Sequence, residues 1–199
     1  ENSFSHPYMG DLHGITTDGS NLYVAATSID ALLCFDIENF ELQWRWGPDE
    51  PILYEDRVRQ IMEARPVAFL PFVHGRRLQT VMEMQTFVDR DYRHIRKGYT
   101  GYHNHHLNDV ILHEGKLYIT TKQWNTDQAG VVIELDLASR DSRFFIPPDS
   151  LQGLHDGVWI DERFYVTESG ANRVAWREPD GALVHRDILP ENYFVRGLC

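Results

Sequence analysis

Four polar residues, His13, Asn108, Asp156 and Arg196, stand at the same point of a recurring pattern, each followed by Gly or Asp (Gly14, Asp109, Gly157, Gly197) and then by an apolar residue. Their types are those of a working site. Imidazole moves protons near neutral pH, amide and carboxylate oxygens accept hydrogen bonds, and a guanidinium suits an anionic ligand such as a carboxylate or sulfate. Singly, each residue reads first as a group that hydrogen-bonds the loops closing the channel; as a set they read as a site. A second cluster, His103-Asn104-His105-His106, joins His13 and His155 as an alternative set for zinc, copper or iron, for which imidazole is a suitable ligand. In that alternative His106 and His155 fall two and one residues before the position held by His13.

The elements that must position these residues repeat along the chain. Leu12-His13-Gly14-Ile15, Leu107-Asn108-Asp109-Val110 and His155-Asp156-Gly157-Val158 each lead into a turn pair, Asp18-Gly19, Glu114-Gly115 or Asp161-Glu162. Each pair is followed by a triplet, Leu22-Tyr23-Val24, Leu117-Tyr118-Ile119 or Phe164-Tyr165-Val166. From the polar residue to the triplet the spacings are nine, nine and eight residues. The pairs are turn chemistry, and the triplets are rich in the β-branched and aromatic types that strands favour. An apolar strand follows each triplet, at Ala31 to Ile37, Val131 to Leu137 and Arg173 to Trp176. Gly47-Pro48 and Pro179-Asp180-Gly181 close units.

Units of roughly 40 residues with three or four short strands have the period of a propeller blade. The expected fold is therefore all-β: a β-propeller of four to five blades in this chain, part of a six-bladed type. It is read as a single domain over 1–199, with a fourth unit opening at Val195-Arg196-Gly197-Leu198 and an insertion at about 49–105. Within the insertion Leu53 to Ala64 has helical periodicity, which Pro66 ends, Leu78 to Val88 fits either strand or helix, and Tyr99 to His106 reads as a loop. In a propeller the first strand of each blade lines the central channel, so the four polar residues would ring one mouth of it. An open meander or a sandwich is the alternative architecture.

The serial motifs His13-Gly14-Ile15, Leu107-Asn108-Asp109-Val110 and Asp156-Gly157-Val158 resemble those of the paraoxonase and SMP-30/gluconolactonase superfamily of six-bladed propellers. The resemblance implies a calcium-dependent hydrolase of the lactonase or arylesterase type. Asn108 and Asp156 would be calcium ligands, Asp109 the ligand of a second, structural calcium, and His13 the general base. Such a cation takes hard oxygen ligands and polarises a carbonyl. Two departures stand against it: Arg196 occupies a position where that pattern supplies ligands, and little chain precedes His13 to carry the expected Glu. The competing readings are a non-catalytic propeller that binds a ligand or protein partner, and a lyase or oxygenase with a His-ligated transition metal.

The formal net charge of −11 repels a phosphate polyanion and argues against nucleic acid as a partner. Cys34 lies in an apolar run and Cys199 is the last residue, a pattern unlike a disulfide framework or a CxxC metal site. No stretch reaches the ~20 apolar residues of a membrane span. A small-molecule substrate or ligand is the expected partner, with missing blades or self-association completing the ring. The sequence leaves the compartment open.

Overall fold

In the computed structural model the described residues are 3–47, 53–54, 72–73, 76–77, 105–123, 129–189 and 197. They divide into two compact units. The first, through Asn104, carries the strands β1 (Leu12–Thr17), β2 (Asn21–Ala26), β3 (Ala31–Asp36), β4 (Leu42–Trp46) and the two-residue β5 (Leu53–Tyr54), β6 (Phe72–Val73) and β7 (Arg76–Arg77). The second, from His105, carries β8 (Leu107–His113), β9 (Lys116–Thr121), β10 (Ala129–Asp136), β11 (Ser142–Gln152), β12 (Leu154–Ile160), β13 (Arg163–Glu168), β14 (Arg173–Arg177) and β15 (Leu183–Ile188). It also takes in Gly14–Thr16. No α-helix occurs among the described residues.

Three antiparallel meanders result. β1 to β5 follow one another in a five-stranded sheet, while β8–β11 and β12–β15 form two four-stranded sheets with neighbours in chain order. This is the up-and-down order of a propeller blade. The turn chemistry explains why the chain folds back where it does. Glu114 and Gly115 (φ 47° and 74°), and Asp161 and Glu162 (φ 47° and 62°), take positive φ at both central positions, the condition for a tight hairpin whose twist matches its strands. In the first unit Asp18 does the same work with its side chain, accepting from the Ser20 and Asn21 amides at 2.8 and 2.6 Å and from the Tyr23 hydroxyl at 2.7 Å. The outer turns repeat as well. Asp36 accepts from the amides of Glu38 and Asn39 at 2.8 and 3.1 Å, and Asp136 from those of Ala138 and Ser139 at 2.9 and 2.8 Å.

The middle strands are buried on both faces. In the first unit Val24, Ala25, Leu32, Leu33 and Phe35 are at most 1 % exposed, as expected of a strand covered from either side. In the second unit Phe164, Val166 and Ala175 pack with Tyr118, Phe145 and Leu154 in one core. Tyr118, Phe145, Trp159 and Phe164 meet there with ring centroids 5.0–5.8 Å apart. Polar groups in the same sheet are paired. Glu134, nearly buried, binds Lys116 at 3.1 Å, Arg143 at 2.9 and 3.0 Å and the Tyr118 hydroxyl at 3.3 Å.

The helical periodicity at Leu53 gives way at its first two residues to β5, because Leu53 and Tyr54 pair with Arg45 and Trp44. The remainder of Leu53 to Ala64, all of Leu78 to Val88 and the start of the Tyr99 to His106 loop lie outside the described residues, so most of the 49–105 insertion goes undescribed.

Candidate functional site

The inner strand of each meander opens on the same backbone device. Asp11, His106 and Gly153 immediately precede β1, β8 and β12, and all three are left-handed, with φ 48°, 56° and 61°. Their carbonyls accept from Thr27, Lys122 and Ser169 at 3.1, 2.9 and 3.1 Å, which ties the start of each inner strand to the end of the second strand. Gly153 adopts this conformation freely, whereas Asp11 and His106 carry a Cβ that strains it. His106 is thus a buried joint residue, 4 % exposed.

Strand boundaries fix the register. β1, β8 and β12 each begin nine residues before β2, β9 and β13. The second residue of the inner strand is therefore His13, Asn108 and His155 in turn, and the third is Gly14, Asp109 and Asp156. This corrects the spacing of eight: Asp156 is level with Asp109, and His155, not one residue early, is level with Asn108 and His13. A β-bulge lies at the inner end of both β8 and β12. In β8 Leu107 pairs with Thr121 and Asp109 with Thr120, leaving Asn108 as the extra residue. In β12 Leu154 pairs with Glu168 and Gly157 with Val166, so that His155 and Asp156 share Thr167. Bulges re-aim side chains and concentrate near functional sites.

The two bulges of the second unit are laced together. Asn108 donates from Nδ2 to the Leu154 carbonyl at 2.5 Å, Thr120 from Oγ1 to the His155 carbonyl at 2.7 Å, and the Gly157 amide to Asp109 Oδ2 at 3.3 Å. Asp109 Oδ1 accepts from the Val110 amide at 2.9 Å. Asp156 repeats the arrangement one step on: Oδ2 accepts from the Gly197 amide at 2.7 Å and lies 3.1 Å from His155 Nδ1, and its own amide donates to Thr167 Oγ1 at 3.0 Å. Gly197 thus stands to Asp156 as Gly157 stands to Asp109. Burial pushes the Asp109 carboxyl up, and the nearby Asp156 charge adds to the rise against the pull of its two amide donors. A Cβ on Gly14 would lie 2.6 Å from Asp109 Cα and from the Val110 nitrogen, which accounts for glycine at the third position of β1.

Of the candidate residues, the structure brings together Asn108, Asp109, His155 and Asp156. His13 belongs to the first unit, where its Nε2 lies 3.6 Å from Asp11 Oδ1. Arg196, His103 and Cys199 lie outside the described residues. Thr120 and Thr167 join the site without having been singled out. Their signal is the Thr that follows Leu117-Tyr118-Ile119 and Phe164-Tyr165-Val166, where the first meander has Ala25.

An acceptor of Asn108 at this junction is unsatisfied among the described residues. Asn108 is 2 % exposed and its Oδ1 is buried with no hydrogen-bond partner. A buried acceptor left this way costs about 1–3 kcal/mol, and an amide oxygen is a ligand type that a hard cation accepts. The donor set therefore suits calcium in kind. Among the described residues no three His, Cys, Asp or Glu side chains are placed to hold a metal ion, so most of the ~6–8 oxygens of a calcium shell would come from backbone, water or substrate.

No protein-family model matches the chain, and no curated protein matches it. Solved structures do. Streptogramin B lyase aligns with a TM-score of 0.53 at 9 % identity, over 94 % of this chain and 43 % of that one. The fold is that of a β-propeller. The luciferin-regenerating enzyme aligns with a TM-score of 0.41 at 13 % identity, over 90 % of this chain and 60 % of that one. Virginiamycin B lyase from Staphylococcus aureus aligns with a TM-score of 0.35 at 11 % identity, over 92 % and 71 %. This propeller chain spans less than half the length of the streptogramin B lyase chain. At such identities the likeness is one of fold, and a propeller fold hosts both enzymes and binding proteins. No helix among the described residues is long and apolar enough to cross a membrane.

Proposed function

We propose that the bulged inner ends of β8 and β12 hold a calcium ion in a hydrolase acting on a small lactone or aryl ester. The observation that supports this is the unsatisfied, buried Oδ1 of Asn108 at a junction that also carries the Asp109 and Asp156 carboxyls. Asn108, Asp109 and Asp156 would be the protein ligands, and calcium held there would supply a Lewis acid to polarise a carbonyl. The chain's own part is orientation. The bond from Nδ2 to Leu154 fixes the Asn108 amide, and the Gly157 and Gly197 amides fix the two carboxyls. In this reading His13 activates water and Arg196 meets negative charge on the substrate, roles that rest on the residue pattern alone.

A second reading is favoured by the same hydrogen bonds. Both oxygens of Asp109 and one of Asp156 accept from backbone amides, which is what a non-catalytic binding propeller would need from residues that only join sheets.

Elemental analysis of the purified protein, paired with melting in calcium and in chelator, separates the two. Stoichiometric calcium is expected, with a stabilisation of about 2.7 kcal/mol at calcium a hundredfold above its Kd, lost in Asn108→Ala, together with calcium-dependent hydrolysis in a screen of lactones and aryl esters. No metal and an unchanged melt overturn the calcium reading and leave the binding propeller. Zinc, copper or iron in place of calcium moves the site to His13, His106 and His155.

A further inference from the structure

One peptide group at the candidate site is held at both ends by threonine hydroxyls. The bulge in β12 takes the His155–Asp156 peptide out of the β12–β13 register, which resumes at Gly157. Its carbonyl accepts from Thr120 Oγ1 at 2.7 Å, and its amide donates to Thr167 Oγ1 at 3.0 Å. The two hydroxyls come from different sheets. Thr120 is the fifth residue of β9 and Thr167 the fifth of β13, where β2 carries Ala25. Both threonines are fully buried. Valine would fill the same volume there with no polar atom to satisfy, whereas a buried hydroxyl is costly unless it is bonded. These two are bonded to a single peptide.

That peptide aims a proposed ligand. A planar group fixed at its oxygen and its nitrogen resists rotation, and its plane sets the direction in which the Asp156 Cα–Cβ bond leaves the backbone. The Asp156 carboxyl then meets the Gly197 amide at 2.7 Å. One peptide earlier, Asn108 Nδ2 holds the Leu154 carbonyl at 2.5 Å, so the β8–β11 sheet grips two consecutive carbonyls of β12. Bulges re-aim side chains, and here side chains of two sheets fix the aim.

We infer that Thr120 and Thr167 are positioning residues of the candidate site, holding the His155–Asp156 peptide so that Asp156 is presented to the cation. The inference rests on the calcium reading of this junction. Removing an outer contact of this kind weakens metal binding by roughly 10–100-fold. Calorimetric titration of the chelator-stripped chain with calcium tests it, paired with hydrogen exchange at the Asp156 amide in chelator, which needs no metal. Thr120→Val is expected to weaken calcium binding by roughly tenfold or more and to speed exchange at the Asp156 amide, while the amides of β14 keep their wild-type protection. Thr167→Val, which takes the acceptor from that amide, should do the same. Thr120→Ser, which keeps the hydroxyl, should bind calcium like wild type. A wild-type chain that takes up no calcium removes the calcium reading and the inference with it. If wild type binds calcium and Thr120→Val binds it equally well, the calcium reading stands and the inference alone is overturned, even where the variant melts lower in chelator. Loss of cooperative melting in both valine variants makes the threonines part of the fold and overturns it as well.

Discussion

The β8–β11 and β12–β15 sheets are built to one plan and differ at a handful of aligned positions. Both start from a left-handed residue, carry Leu first, bulge at the second and third residues, and set a buried Thr opposite the bulge. Yet Asn108 answers to His155, Val110 to Gly157, and Leu117 to Phe164. The last two differences compensate. A Cβ on Gly157 would lie 2.5 Å from Phe164 Cζ and 3.2 Å from Ile111 Cδ1, so the larger ring of one sheet fills the volume that Val110 occupies in the other. Backbone plan and side-chain volume are thus repeated separately: the bulge and joint recur position for position, with different residues, and the packing recurs only as a sum.

The largest expected effects test that sum. Phe164→Ala should cost about 3–5 kcal/mol, since the ring is fully buried among Tyr118, Phe145 and Trp159. Leu117→Ala should cost about 2–5 kcal/mol by the same mechanism, read by denaturant unfolding. Gly157→Val alone overpacks and should cost about 1–3 kcal/mol. Combined with Phe164→Leu it should lose less than the two single changes together, because the pair would then match Val110 and Leu117. Strict additivity would break the volume argument.

A smaller effect lies at the Asp109 carboxyl of the β8–β11 sheet. The folded-state pKa of Asp109 is raised, so its contribution to stability is complete below the ordinary 3.8 and is lost as pH rises through the raised value. Melting of Asp109→Asn should therefore fall less than wild type as pH is raised through that window. An unchanged slope for Asp109→Asn would remove this distinction of the β8–β11 sheet.

The smallest effect lies in the first unit and has the opposite sign. Partial burial pulls Asp18 up, but the Tyr23 hydroxyl and the Asn21 side chain and amide outweigh it and lower the pKa to about 2. Its contribution is present above 3.8 and is lost as pH falls toward 2. Asp18→Asn should flatten the acid limb of the stability curve and change little at neutral pH.

Much of the architecture was legible along the chain. Glu114-Gly115 and Asp161-Glu162 are turns because of what their backbones tolerate, and Leu-Tyr-Ile or Phe-Tyr-Val are strands because of what their side chains pack against, so both kinds of signal are local and survive in one dimension. The nine-residue span from inner to second strand is local too. What the sequence hid was the bulge, since an extra unpaired residue leaves no mark on composition. The polar residue taken for the third unit was Asp156, eight residues before its triplet, whereas the spacing of nine in the other two units falls on His155.

By itself, then, the sequence determined the strand content, the turns and the repeat that make this chain a propeller. Only the tertiary structure decided which oxygens meet at the junction of β8 and β12, that Asn108 Oδ1 is left without a partner there, and that the face bearing Tyr165 is half-open while those bearing Tyr23 and Tyr118 are closed. The reason is physical. Turns and strands follow from each residue's own conformational preferences, whereas satisfaction of a buried atom and coverage of a face depend on residues tens of positions away.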